Sequence, residues 1–386
     1  MAEWLRDLRR DFHRHPELRF EEARTAARVA EYLSSFGLEV KTGIGRTGVV
    51  GLLRGAKPGR TFAIRSDMDA LPIQEETGAE YASVNPGVMH ACGHDSHMAM
   101  LLGTARVLAE SPDLRSKING QVKFIFQPGE EGGHGAREMI ADGVLENPSV
   151  DTIVAAHVAP LINFGEVGIY LREACASADA FEIRIAGKGA HAAYPHLSRD
   201  PVFAGAQLIT AIQSIVSRNT APAQGLVVSV TRVSAGTATN VIPDEMFLAG
   251  TIRALRQEVR DLAISRLKEI VEGTCRSHGL DGKVSLGDGY PPMINHEPVS
   301  RFVAGVATEM LGKNKVLFRQ PKFGSEDFAY FLERCPGAGF DLGCANEAKG
   351  FTQMLHTSRF DLDEEVMPIG VELYLRLVEK YFEKTI

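Results

Sequence analysis

Residues 121–157, QVKFIFQPGEEGGHGAREMIADGVLENPSVDTIVAAH, decide the fold. QVKFIFQ (121–127) is an apolar-rich run of strand length. A glycine-rich loop follows, then GAREMIADGVL (135–145) with helical spacing, then TIVAAH (152–157), a second short apolar run. Strand, helix and strand in succession make a βαβ unit, which implies parallel strands. Upstream, GVVGLLR (48–54) and TFAIRS (61–66) read as strands, and MAMLLGTARVLA (98–109) as a helix capped by Asp95 or Ser96. Residues 3–37 read as helical, with Trp4, Leu5, Leu8 and Phe12 on one face and a second run from Ala23 to Phe36 ending at Gly37. The class expected is α/β, a mostly parallel sheet with helices on both faces.

The pattern changes near residue 178. FEIRI (181–185) alternates like a half-buried strand, and Asp200-Pro201 opens a helix to about Arg218, with Asp as cap and Pro at the first helical position. VVSVTRV (227–233) and MFLAGTIRA (246–254) read as strands, 256–277 as a helix stopped at Gly279, and KVSLG (283–287) as a strand. The order β-α-β-β-α-β is that of a ferredoxin-like α+β unit. From about 291 the α/β character returns, ending in an amphipathic helix over 364–382. A chain of 386 residues exceeds the roughly 250–300 that one core supports. Two domains are therefore expected: 1–177 with 290–386, and an inserted one at 178–289.

Composition narrows the function. Hydrophobic content of 44% and charged content of 24% are those of an ordinary globular protein. A net charge of −7 without a long basic run argues against nucleic acid or anionic membrane as partner. No apolar stretch reaches the roughly 20 residues of a membrane span. The opening MAEWLRDLRRDF lacks the apolar core of a signal peptide, and five irregularly spaced cysteines do not form a disulfide framework. The compartment expected is the cytoplasm.

Five residues are of metal-binding types: Cys92, His94, Glu131, His157 and His356. Four of them closely follow an apolar run, where strands of an α/β sheet end and ligands bind. HACGHDSH (90–97) packs three His, one Cys and one Asp before a helix, and Cys92 and His94 can face one ion. The alternative is a helix start with a buried Cys; for His90 and His97 that plainer reading is preferred. In QPGEEGGH (127–134) the adjacent carboxylates point apart, so Glu131 can ligate while Glu130 stays free to take a proton; the alternative is a charged surface turn. His134 reads as a loop residue. His157 and His356 carry nothing singly. Asp67 and Asp69 close the TFAIRS strand and could ligate, hold the second nitrogen of a ligating His, or cap a turn. GIGRTG (43–48) matches G-x-G-x-x-G, but a strand follows where a dinucleotide site needs a helix, so the glycines shape a β-turn. There is no G-x-S-x-G elbow and no P-loop.

Taken together, these segments resemble the amidohydrolase branch of the dinuclear-zinc peptidase family, which includes aminoacylases, hippurate hydrolases and auxin-conjugate hydrolases. The resemblance runs through RRDFHRHPEL (9–18), DMDALP (67–72), HACGHDSH (90–97), QPGEEG (127–132), the His157 strand, GAHAAYP (189–195), GTATNVIP (236–243), GTIR (250–253), GSEDF (324–328) and LHTSRF (355–360). It implies a zinc-exopeptidase-like sheet domain and an inserted lid and dimerisation domain, in a homodimer or tetramer. By the same resemblance Cys92, His94, Glu131, His157 and His356 look like ligands of two divalent cations, with Cys92 able to contact both. Glu130 looks like the general base, His191 like the group that stabilises the oxyanion, Asn240 and Arg253 like substrate holders, and Asp69 like an orienter behind the ligands. The chain departs from the wider family in three places: Asp67 stands at the position of a His ligand, Gly129 where Ala is common, and His134 within a glycine-rich run. Cys175 and Cys344 receive no role.

The reading is a metal-dependent amidohydrolase that cleaves a small N-acyl amino acid (N-acetyl, benzoyl or similar) to a carboxylate and a free amino acid. Zinc is placed first, with manganese, cobalt and nickel compatible with the same donors. Alternatives are a metallo-carboxypeptidase or dipeptidase, a catalytically silent metal-binding protein, and a thiol redox protein using Cys92.

Overall fold

The computed structural model describes residues 1–383. The chain divides into two units, one of Met1–Arg172, Asn295–Gln320 and Asp327 onward, the other of Glu173–Ile294 with Pro321–Glu326. In chain order the first unit opens with α1 (Ala2–Arg14), α2 (Ala23–Ser35), β1 (Glu39–Ile44), β2 (Gly48–Arg54), β3 (Lys57–Asp67), α3 (His94–Glu110), α4 (Pro112–Lys117), β4 (Asn119–Gln127), α5 (Gly135–Ala141), β5 (Thr152–Asn163) and β6 (Val167–Ile169). The second unit holds β7 (Glu173–Cys175), β8 (Asp179–Ala186), β9 (Ala190–His191), α6 (Pro201–Ile212), β10 (Leu226–Ala235), β11 (Val241–Ile242), β12 (Glu245–Ala254), α7 (Gln257–Ser277), β13 (Asp281–Leu286) and β14 (Met293–Ile294). The first unit resumes with α8 (Glu297–Leu311), β15 (Val316–Phe318), α9 (Ala329–Leu332), β16 (Gly337–Ala345) and α10 (Val366–Glu383).

The first unit is built on one sheet of order β1-β2-β4-β3-β5-β16-β6-β15. Its centre, β4-β3-β5-β16, is parallel, and antiparallel pairs flank it at β1-β2, β2-β4 and β16-β6. Successive residues of β2, β3 and β4 are buried, as strands covered on both faces require. Helix α3 is buried almost all round, packing on β3 and against α1 and α10. From β3 the chain crosses to β4 on one side and later to β5 on the other. The carboxyl end of β3 is thus a topological switch point, where α/β sheets bind ligands.

The second unit has the order β13-β8-β12-β10, all antiparallel, with α6 and α7 packed beside it, which is the ferredoxin-like arrangement. Strand β8 alternates buried and exposed residues, so one face of the sheet carries this unit's own core. Asp200 caps α6, its Oδ1 accepting from the Val202 and Phe203 amides at 2.9 and 3.2 Å, a contact worth about 1 kcal/mol. The unit begins earlier and ends later than 178–289 because β7 and β14 pair with each other, and Lys322 of its outlying segment bonds back to Ala174 and Ala176.

Four local expectations need correction. Helix α3 begins at His94, so Asp95 and Ser96 lie inside its first turn rather than capping it; the left-handed Gly93 (φ 86°) turns the chain one residue earlier. Helix α5 ends at Ala141 rather than 145, because the Lys123 ammonium donates to the carbonyls of Val144, Glu146 and Pro148 at 2.8–3.0 Å and holds that segment out of helix. Strand β5 runs on to Asn163, so His157 sits inside a strand rather than at its end. Residues 15–22 interrupt the helical stretch expected over 3–37. GIGRTG forms the turn of the β1-β2 hairpin, with Gly45 and Arg46 at positive φ.

Candidate metal centre and active site

The parallel strands deliver the first unit's candidate residues to one place. Asp67 ends β3 and Asp69 follows it; Glu130 and Glu131 follow β4; His157 lies in β5; His356 follows β16. Cys92 and His94 flank Gly93 at the start of α3. A Cβ on Gly93 would lie 2.4 Å from Val158 Cγ2, so only glycine lets this loop close against β5 beside His157. His356 is itself left-handed (φ 62°), and its amide donates to the Ala91 carbonyl at 2.8 Å, tying its loop to the Cys92 loop.

The donor atoms converge. Cys92 Sγ is 3.4 Å from His157 Nε2 and 3.3 Å from His356 Nε2, and His356 Nε2 is 3.1 Å from Glu131 Oε1. Two donor triads result, Cys92–His94–His157 and Cys92–Glu131–His356, with Cys92 in both. A third group joins His94, Glu130 and Glu131. A tetrahedral cation with bonds of about 2.0–2.3 Å holds its ligands about 3.3–3.8 Å apart, close to what is seen. His94 Nε2 is buried without a hydrogen bond among the described residues, as an atom reserved for a cation is. The five residues fit a pair of divalent metals sharing the Cys92 sulfur.

Charge is arranged to match. Burial pushes the Cys92 thiol up, and nearby His94 opposes that. His356 is raised to about 10 by its contacts with Cys92 and then Glu131. His94 is raised well above the usual histidine value: burial alone would lower it, but Asp67 and Cys92 outweigh that. A site that attracts protons so strongly offers the same negative field to a metal ion.

The backbone fixes which nitrogen each histidine presents. His94 Nδ1 donates to the Asp69 carbonyl at 2.8 Å, and His157 Nδ1 to the Val158 carbonyl at 2.7 Å, leaving both Nε2 atoms inward. Asp69 therefore meets His94 through its main chain, while its carboxylate accepts the Glu130 and Glu131 amides at 3.0 and 2.9 Å. It sets the imidazole and the two-glutamate loop together. Gly129 suits that loop, since at φ 60° a Cβ would lie 2.8 Å from the Phe20 ring. His134 immediately precedes α5 and contacts Tyr330 Oη at 3.1 Å.

Asp67 does not act as a cap. Its Oδ1 accepts from His97 Nδ1 at 2.7 Å, and His97 Nε2 accepts the Val158 amide at 2.9 Å, so both are braces behind the donors. His90 is buried with neither ring nitrogen hydrogen-bonded among the described residues, and burial lowers it to about 3, keeping it neutral.

The remaining candidates lie in the second unit. His191 is in β9, paired with Val241 of β11, and the Ala192 amide donates to the Asn240 carbonyl at 3.0 Å. His191 and Asn240 thus share one short hairpin. His191 Nδ1 accepts the Ala193 amide at 3.1 Å, so the neutral ring carries its proton on Nε2. Arg253 is in β12, its Nη1 buried without a hydrogen bond among the described residues.

Two groups escaped the sequence reading: Arg65, Gln127 and Asp327 behind the Glu130 loop, and Arg9, His13 and Asp95 beside α3. An arginine inside the apolar run TFAIRS was the available signal, because a buried guanidinium demands carboxylates.

Similarity to known proteins agrees with this architecture. Residues 63–380 match the model of peptidase family M20/M25/M40. The chain is 40% identical over 388 residues to thermostable carboxypeptidase 1 of Saccharolobus solfataricus, covering 100% of this chain and 97% of that one. It is 45% identical over 290 residues to an N-acyl-L-amino acid amidohydrolase of Geobacillus stearothermophilus, covering 75% of this chain and 77% of that one. A solved structure from Bacillus subtilis, the YXEP protein, described as a dinuclear metal-binding peptidase of the M20 family, superposes with a TM-score of 0.87 at 33% identity, covering 100% of this chain and 99% of that one. The chain belongs to peptidase family M20/M25/M40.

Proposed function

We propose that the protein is a dinuclear metal-dependent amidohydrolase that cleaves N-acyl amino acids to a carboxylate and a free amino acid. The observation that carries this is the Cys92 sulfur shared by two donor triads, with Glu130 beside them and outside both. Cys92, His94, Glu131, His157 and His356 would hold the two cations, zinc first among the metals such donors accept. Bound there, the cations supply Lewis acidity that polarises an amide carbonyl and activates water near neutral pH. Glu130, 6% exposed and held by Asp69 through its amide, takes the proton of the attacking water and returns it to the leaving nitrogen.

On the second unit, His191 offers its Nε2 proton to the developing oxyanion. Asn240 and the unpaired N–H of Arg253 hold the substrate carboxylate. A homodimer or tetramer is supported by β10, an edge strand with Val227 and Val233 exposed. Among the described residues no helix is long and apolar enough to cross a membrane, and no disulfide is present; the latter supports a cytoplasmic location.

Identity to the archaeal carboxypeptidase favours a second reading, cleavage of a C-terminal residue from a peptide. Apo-protein reloaded with each metal and given N-acetyl, N-benzoyl and dipeptide substrates separates the two. Glu130→Gln is expected to keep both metals and lose at least about 10²-fold in kcat. Hydrolysis that survives complete chelation overturns the metal mechanism, and normal turnover by Glu130→Gln overturns the base.

A further inference from the structure

Arg65 lies near the carboxyl end of β3 at 2% exposure. A guanidinium so placed is tolerated only when every side of it is paired. Its Nε donates to Gln127 Oε1 at 2.8 Å, Nη1 to Asp67 Oδ2 at 2.7 Å and Nη2 to Asp327 Oδ1 at 3.1 Å. Gln127 Nε2 reaches both Asp327 oxygens, at 2.7 and 2.9 Å, and the Ala136 amide at the start of α5 donates to Asp327 Oδ2 at 2.9 Å. Asp327 is fully buried and saturated by donors. Its own amide makes a long hydrogen bond, 3.4 Å, to Glu130 Oε1. Catalytic contacts are often long before substrate binds.

We propose that Asp327 is a positioning residue: clamped by Arg65, Gln127 and the Ala136 amide, it holds its main-chain N–H against Glu130 and sets where that carboxyl points. The inference rests on the assignment of Glu130 as base. The clamp is specific for a carboxylate. Both oxygens of residue 327 face donors, so an asparagine in either orientation sets its NH2 against another N–H. Gln127 cannot turn to relieve this, because its oxygen is taken by Arg65. The same guanidinium reaches Asp67, which braces His97 and through it the Val158 amide, next to His157. One buried network therefore supports the base on one side and a donor strand on the other.

The test is kcat, KM and metal content for D327N, for the exchange Q127E/D327N, and for both in the E130Q background. D327N is expected to keep two metals and a KM within about threefold of the parent while kcat falls about 10²-fold, the cost of an ångström-scale misplacement. The exchange returns a negative charge beside Arg65 and an acceptor for the new amide, and is expected to regain about tenfold. In the E130Q background D327N should cost nothing more, since residues acting as one unit are not additive. Unchanged kcat in D327N, or the same loss recurring on top of E130Q, overturns the inference and leaves the base assignment intact. Normal turnover by E130Q alone overturns both. If D327N does not fold, the exchange decides: loss that vanishes in the E130Q background supports positioning, and loss that adds to it overturns positioning.

Discussion

Neighbouring residues at the start of α3 serve two buried polar clusters of opposite character. His94 belongs to one and Asp95 to the other. On the Asp95 side, Arg9 donates to Asp95 at 2.7 Å, Asp361 at 2.8 Å and Glu364 at 3.4 Å, while His13 contacts Asp95 at 2.7 Å and Glu75 at 3.2 Å. Each cation there meets carboxylates, and nothing further is needed. On the His94 side, a thiol, three imidazoles and a carboxylate crowd within 4.8 Å of one another in two groups, and His94 Nε2 makes no hydrogen bond among the described residues. Burying a polar atom without a partner is costly, and among converging donors such an atom is open to a further ligand. The Asp95 cluster fastens α1 to α3; the His94 cluster brings donor atoms to face one another.

Substitutions should separate the two. The largest effect is expected from Cys92→Ala. Loss of the shared donor should strip both metals and cut hydrolysis at least about 10³-fold, beyond the 10–100-fold usual for an outer partner. Elemental analysis beside a rate assay checks this, and two retained metals would break the contrast from the His94 side. Arg9→Met takes the cation from Asp361 and removes one of two from Asp95 and Glu364, which keep His13 and Arg10. Loss of about 3–5 kcal/mol in urea unfolding is expected, with full metal content in the protein that remains folded. Metal loss without loss of stability would mean that the fastener is part of the site.

A smaller effect belongs to the second unit. Arg253→Gln should lower kcat/KM by about 10–10²-fold through a raised KM, with metal content unchanged. An unaltered KM would remove Arg253 from substrate binding. The smallest effect is a pH dependence. Burial and then Arg9 push His13 down, but Asp95 and Glu75 together raise it above the ordinary value of about 6.5. The folded state then binds the proton more tightly than the unfolded chain. Its stabilisation is complete below about pH 6.5 and fades as pH rises through the folded value. Melting temperatures across pH 5 to 9 should show that decline in the parent and less of it in His13→Gln; identical slopes would deny His13 its charge.

Part of the site was legible because chemistry and local pattern coincide. The run at 121–127 followed by two glutamates marks a strand end with carboxylates, and Cys92 with His94 marks donors on a loop before a helix. The same local reading misplaced the start of α3, because a left-handed glycine is a geometric fact that composition only permits. It overran α5, because the lysine that holds residues 144–148 out of helix lies twelve residues before the helix starts. It gave Asp69 the right neighbourhood but not the atom, a carbonyl for His94 and a carboxylate for the glutamate loop.

Short-range periodicity determined the class of this protein: strand and helix lengths depend on side chains a few positions apart, and their alternation leaves a parallel sheet as the economical packing. Tertiary structure alone decided which polar residues meet. Cys92 and His356 are 264 positions apart, and Arg65 and Asp327 are 262 apart. For Cys92 and His356, the contact exists because β16 lies parallel beside β5, carrying its outgoing loop to the edge where His157 waits. Burial then separates residues of equal chemical promise, saturating some with hydrogen bonds and leaving others to bind.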